Sequence, residues 1–228
     1  MDPRERLIFA VDVPTRDRAL QLVDRLAGHV GCFKLGLELF VAAGPELVRE
    51  VSARAPVFLD LKLHDIPATV GRAAAVAGTL GARYLTVHVD EGGRALAAAA
   101  QAAPETGILG VTVLTSISEE ELRGSGYELG LAELARRRAA LAREQGCRGI
   151  ICSGHEAAEL RQVVGPQLLI VTPGIRPRDA EAADQRRIMT PAAAIRQGAD
   201  LIVVGRPIRD AADPVAAADG IVEDLSAA

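Results

Sequence analysis

The segment "FLDLKLHDIP", residues 58–67, sets Asp60, Lys62 and Asp65 into a run that is otherwise apolar. Leu59, Leu61 and Leu63 alternate with the charges, which places carboxylate and ammonium on one face of a strand and leucines on the other. A surface strand would turn such charges to water. A buried strand tolerates them only as a paired set, because isolated buried ions are very costly and opposite charges favour each other's ionised forms. A fixed ammonium within such a set can stabilise developing negative charge and deliver a proton.

Chemically capable residues recur at the ends of other apolar runs. Asp12 lies in "LIFAVDV" (7–13), Lys34 in "CFKLG" (32–36), and Asp60 and Lys62 in "VFLDLKL" (57–63). Thr86 and His88 fall late in "RYLTVHV" (83–89), and Thr112 and Thr115 at the end of "ILGVTVL" (108–114). "RGIICS" (148–153) is followed by "QLLIVTP" (167–173) with Thr172 and then Arg176, and "DLIVVGR" (200–206) closes on Gly205-Arg206. The matching early positions are apolar.

The elements that must position these groups are eight short strand-like runs separated by helical spacing, as in "DRALQLVDRLAG", "PELVREVSARA" and "GRAAAVAGTLGA". A glycine before a new strand, in "GARY", "GCRG" and "GADL", marks helix C-termini. Eight βα units in 228 residues predict a single-domain (β/α)8 TIM barrel over 1–228. An open doubly wound sheet is the alternative, but the first βα turn, "DVPTRD", lacks a glycine-rich dinucleotide fingerprint. In a barrel the active site sits at the C-terminal strand ends, where the polar residues cluster. "VVGRPI" offers backbone N–H groups and a cation to an anion, in the region where such barrels bind phosphate. The long connection 173–189 carries Gln185, Arg186 and Arg187, which could close over the same anion as a lid.

Net charge is −4, which argues against generic nucleic-acid or anionic-membrane binding but not against an anionic small substrate. The three cysteines, Cys32, Cys147 and Cys152, lack metal-type spacing and read as reduced, buried thiols. Four histidines, with Lys62 at the centre of the array, make a metal site a poor reading; His88 fits a hydrogen-bonded structural role. Ser153-Gly154-His155 reads as a helix N-cap at Ser153 rather than a triad. The N-terminal run is broken by Asp12 and no segment approaches a membrane span, so the chain is expected to be soluble and cytoplasmic.

"FLDLKLHDIPATV" closely resembles the catalytic segment of bacterial orotidine 5′-phosphate decarboxylases. "FAVDV", "FKLGLELF", "GVTVLTS", "VTPGIRP" with "DQRRIMTP", and "VVGRPI" match the same family in order over nearly the whole chain. The resemblance implies a (β/α)8 barrel that decarboxylates orotidine 5′-monophosphate to UMP, the last step of de novo pyrimidine synthesis, without metal or organic cofactor. It also implies a homodimer with sites at the interface. Carried over by position, it makes Lys62 the proton donor to C6 and sets Asp60 against the substrate carboxylate, with Asp65 and Thr69 reaching into the partner's site. Asp12 and Lys34 would hold the ribose side, Thr115 the pyrimidine, and Arg176, Gln185, Gly205 and Arg206 the phosphate.

Two other readings share parts of this pattern. A D-x-K-x-x-D segment also serves Mg²⁺-dependent sugar-phosphate decarboxylases and hexulose-phosphate synthases. The "VLTS", "PGIRP" and Gln185 matches favour the nucleotide enzyme. A non-catalytic nucleotide-binding barrel would be credible if Lys62 or Asp60 were replaced, and both are present.

Overall fold

Alternation along each strand divides its side chains between two cores. In the computed structural model, which describes residues 1–89, 92–177 and 189–227, eight parallel strands close into a barrel in sequence order. They are β1 (Leu7–Ala10), β2 (Cys32–Gly36), β3 (Val57–Leu63), β4 (Ala82–His88), β5 (Gly107–Val111), β6 (Gly149–Ile151), β7 (Leu169–Thr172) and β8 (Leu201–Val204). Inward-facing Ile8, Ala10, Cys32, Phe58, Tyr84, Leu109, Val171, Leu201 and Val203 fill the barrel. Phe58 and Tyr84, register partners on β3 and β4, meet edge-to-face with ring centroids 6.3 Å apart. The opposite faces, including Leu7, Phe9, Phe33, Leu35, Leu59 and Leu85, pack outward against the helices.

The helical layer follows the expected rhythm: α1 (Arg16–Leu26), α2 (Leu37–Ser52), α3 (Pro67–Thr79) and α4 (Arg94–Ala102) each link consecutive strands. Two helices, α5 (Glu119–Gly124) and α6 (Leu131–Glu144), separate β5 from β6; α7 (Ala157–Val164) and α8 (Pro191–Arg196) follow β6 and β7. After β8 come the short α9 (Arg206–Arg209) and α10 (Pro214–Ser226). The glycines read as helix ends, Gly81, Gly146 and Gly198, adopt φ of 82°, 78° and 95°, where side chains other than glycine's are strained.

Three expectations are adjusted. Several strands are shorter than their apolar runs, because residues such as Asp12–Val13 and Val113–Leu114 lie beyond the last interstrand bonds, which Val11 and Thr112 make to the Lys34 and Ile151 carbonyls. The helical segment placed at 45–55 instead begins at Leu37 and turns through a kink at Gly44 (φ 70°) just before Pro45. Ser153 does not cap a helix: its carbonyl accepts from Glu156 N–H at 3.0 Å, closing a turn, and α7 starts only at Ala157 with Glu156 as its N-cap. All three cysteines are free and buried, as expected. Burial pushes the Cys32 and Cys147 thiols up to about 12 and raises Cys152 as well. No described helix is long and apolar enough to cross a membrane.

Candidate active site

Two residues along from the inner apolar layer, the inward positions change character: Ala10 gives way to Asp12, Cys32 to Lys34, Phe58 to Asp60, Tyr84 to Thr86 and Val203 to Gly205. Strand period alone therefore lifts a ring of polar groups onto a hydrocarbon floor. Lys34 Nζ lies 3.1 Å from Asp12 Oδ1 and 3.6 Å from Asp60 Oδ2. Lys62 Nζ donates to both Asp60 oxygens, at 2.8 and 2.9 Å. Charges thus alternate from Asp12 through Lys34 and Asp60 to Lys62. Gly36 lies against the first pair: a Cβ there would stand in ordinary contact, 3.4 Å from both Asp12 Oδ1 and Lys34 Nζ.

Asp60 is the hub. Its side chain is 12% exposed and that of Lys34 11%, whereas Lys62 keeps 38% toward the mouth. Burial alone would raise the Asp60 carboxyl. The charges of Lys34 and Lys62 and hydrogen bonds from Lys62 and Thr86 outweigh it, holding the group below the usual carboxylate range. His88 moves the other way for its class: burial, then the charges of His64, Lys62 and Arg138, lower it against the pull of Asp60, so the ring is neutral at pH 7. The His64 and His88 rings stand 5.4 Å apart beside Lys62. Among the described residues, no group of three or more His, Cys, Asp or Glu side chains could hold a metal ion.

The local backbone is irregular where the chemistry is richest. Leu59 pairs with Leu85 and Leu63 with Val87, so Asp60, Leu61 and Lys62 stand opposite Thr86 alone. Lys62 sits within this bulge at φ 49°, the left-handed region, and is the sole residue other than glycine with positive φ among those described. For such a side chain this conformation costs about 1–3 kcal/mol and persists only where surroundings hold it. Sequence alternation predicted the common direction of Asp60 and Lys62 but carried no signal of the bulge.

Asp12, Lys34 and Asp60 line two adjoining cavities. One, of about 470 Å³, continues past Gly174, Arg176, Gly205, Arg206 and Arg209. The other, of about 240 Å³, includes Leu37, Leu61 and Lys62. Arg176 is buried, and its backbone N–H donates to Met189 O at 2.9 Å. Arg209 was missed by sequence reasoning, although it follows Arg206 by three residues and so shares a helical face with it. Its guanidinium donates to the Asp12 carbonyl at 2.8 Å and pairs with Asp210.

Other expected residues are not gathered here. Thr115 lies half-buried in the turn after β5 and lines neither cavity. Asp65 is exposed, its carboxylate accepting from Ile66 N–H at 2.6 Å, and Thr69 is half-buried in the first turn of α3. Neither lines these cavities. Thr112 is committed to the ladder, donating to the Ile151 carbonyl at 2.9 Å. Thr172, next to inward-facing Val171, is fully buried on the opposite face. Gln185, Arg186 and Arg187, and with them most of the expected 173–189 lid, lie outside the described residues.

Fold and site together define a (β/α)8-barrel enzyme with an alternating ion array and an arginine-lined cavity at the C-terminal strand ends. Residues 5–221 match the family described as orotidine 5'-phosphate decarboxylase / HUMPS. An orotidine 5'-phosphate decarboxylase of Rhodopseudomonas palustris is 49% identical over 226 residues, covering 99% of this chain and 95% of that protein. One from a Methylobacterium species is 48% identical over 232 residues, covering 100% and 98%. The crystal structure of orotidine 5'-phosphate decarboxylase from Lactobacillus acidophilus superposes with a TM-score of 0.87 at 34% identity, covering 96% of this chain and 98% of that one. The chain belongs to the orotidine 5'-phosphate decarboxylase / HUMPS family.

Proposed function

We propose that the protein decarboxylates orotidine 5′-monophosphate to UMP, in the last step of pyrimidine nucleotide synthesis, with Lys62 as the acid. The observation that carries this reading is the continuous Asp12–Lys34–Asp60–Lys62 array beside a cavity that ends on Arg176 and Arg206. The C6–carboxylate bond breaks and CO₂ leaves, while its bonding pair stays on C6 in the ring plane, where the π system cannot spread it. The Lys62 ammonium stabilises that charge and transfers one proton to C6, then regains a proton from solvent. Held at 2.8–2.9 Å by Asp60, it needs little reorganisation when the charge appears. Asp60 faces the substrate carboxylate, Asp12 and Lys34 hold the ribose, and Thr115 and Gln185 act at the base and phosphate ends. No metal or organic cofactor takes part.

In this reading the protein is a homodimer in which Asp65 and Thr69 of one subunit complete the other's site. Asp65 and Thr69 stand outside their own cavities but flank Ile66, which is 65% exposed, and the start of α2 carries exposed Leu37 (57%) and Val41 (76%). Exposed apolar side chains of this kind suit burial against a second copy. Relatives at 47–49% identity that carry the decarboxylase name favour this substrate over the sugar phosphates that the wider family also suggests.

Incubation with orotidine 5′-monophosphate and EDTA, followed by loss of substrate absorbance, tests the proposal. Turnover by wild type and loss of at least about 10⁴-fold in Lys62→Ala are expected, since proton transfer and charge stabilisation vanish together. No wild-type turnover refutes the activity. Turnover abolished by EDTA refutes the metal-free mechanism, and an active Lys62→Ala refutes the role of Lys62.

A further inference from the structure

Thr86 is 1% exposed, and its hydroxyl is fully committed. It has one proton, given to Asp60 Oδ1 at 2.8 Å, and it accepts the Lys62 backbone N–H at 2.9 Å. Those two partners are the hub of the ion array and the residue held in left-handed backbone. Thr86 stands opposite the bulge where the β3–β4 ladder is interrupted, so its side chain bonds the amide at the point where the strand leaves register.

We propose that Thr86 is a positioning residue: its hydroxyl pins the Lys62 backbone to the Asp60 carboxylate, and thereby aims the Lys62 ammonium at the reacting carbon. This rests on the function proposed above. Without the hydroxyl, Lys62 N–H and Asp60 Oδ1 both lose a buried partner, and the bulge loses the contact that opposes its relaxation. Asp60 is then faced by Lys34 from β2, Lys62 from its own strand, Asp12 beyond Lys34 and just past the end of β1, and neutral His88 farther along β4. The lysines keep the carboxyl low, but the share supplied by Thr86 is gone, so it titrates higher than in wild type.

Thr86→Val removes the hydroxyl at nearly constant volume, and Thr86→Ser keeps it. Thr86→Val should lower kcat about tenfold or more and leave KM within about threefold, because misaimed chemistry costs more than lost binding. Thr86→Ser should recover most of the loss. Independently of turnover, ¹³C titration of the Asp60 carboxyl should show its midpoint raised in Thr86→Val and restored in Thr86→Ser, and Lys62 amide exchange should quicken in the valine variant alone. If wild type proves inactive, the substrate reading falls while titration and exchange still judge Thr86. A Thr86→Val protein with wild-type kcat and an unmoved Asp60 overturns the proposal. So does a Thr86→Ser protein as impaired as Thr86→Val, which would indicate packing. If Thr86→Val does not fold, wild-type exchange decides: an unprotected Lys62 amide overturns the proposal and a protected one supports it.

Discussion

Asp60→Asn asks whether the ion array stabilises the fold or is held together against its own repulsion. In wild type the carboxylate receives two bonds from Lys62 and one from Thr86, with the Lys34 ammonium 3.6 Å away. The amide keeps the shape and can still accept from Thr86, but leaves two ammoniums near a neutral group. Removing one partner of a fully buried pair costs about 3–5 kcal/mol. Lys34, at 11% exposure, bears most of that, with partial relief from Asp12; Lys62, at 38%, can turn to water, so its share is discounted. The expected loss is about 2–3 kcal/mol at pH 7, which for a chain of this size lowers Tm by about 5–10 °C. The sign with pH follows from the depressed Asp60 carboxyl. Its stabilisation is fully present above the ordinary carboxylate pKa of about 4 and disappears as pH falls through the lower folded value. The melting gap between wild type and variant should therefore stay constant from pH 8 to about 5 and narrow only in stronger acid. Differential scanning fluorimetry across that range decides it. A variant melting at or above wild type at pH 7 would refute the stabilising account and mark the array as stored strain.

Three further outcomes are expected. Arg206→Ala should lower kcat as well as raise KM, by about tenfold or more in kcat/KM, because phosphate binding is expressed partly in the transition state; steady-state kinetics with wild-type kcat/KM would oppose this. Ile66→Asp should shift the protein toward monomer in light scattering and reduce activity in proportion, since a charge enters the face assigned to the second copy. Gly149→Ala should destabilise by about 1–3 kcal/mol in urea unfolding, because the new Cβ would stand 2.5 Å from the Leu169 carbonyl oxygen of the neighbouring strand.

The barrel was legible because each βα unit repeats the same two signals: a short apolar run, then a longer one with helical period. Its closure needed only the count. The direction of Asp12, Lys34 and Asp60 was legible for the same reason, as each lies an even number of residues beyond an inward apolar side chain. Local departures were not. The bulge at Lys62 is held by a hydroxyl from the neighbouring strand, 24 residues away, and no local pattern announces it. Thr112, Thr115 and Thr172 looked alike as polar residues near strand ends, yet one bonds the ladder, one sits in a turn and one is buried on the outer face. Strand ends are not legible from apolar runs because hydrophobicity continues past the last ladder bond. Arg209 went unnoticed because its place depends on a short helix after β8.

The left-handed backbone at Lys62 has a consequence for evolution and engineering. Glycine would relieve that conformation, so any search for sturdier variants by backbone relaxation is drawn to this position. It is also where the proposed mechanism places its acid, a long side chain ending in an amine. On that proposal the simplest route to a calmer backbone runs through the acid itself, and thermal improvement is better sought elsewhere, in the helical shell and the connections on the far side of the barrel.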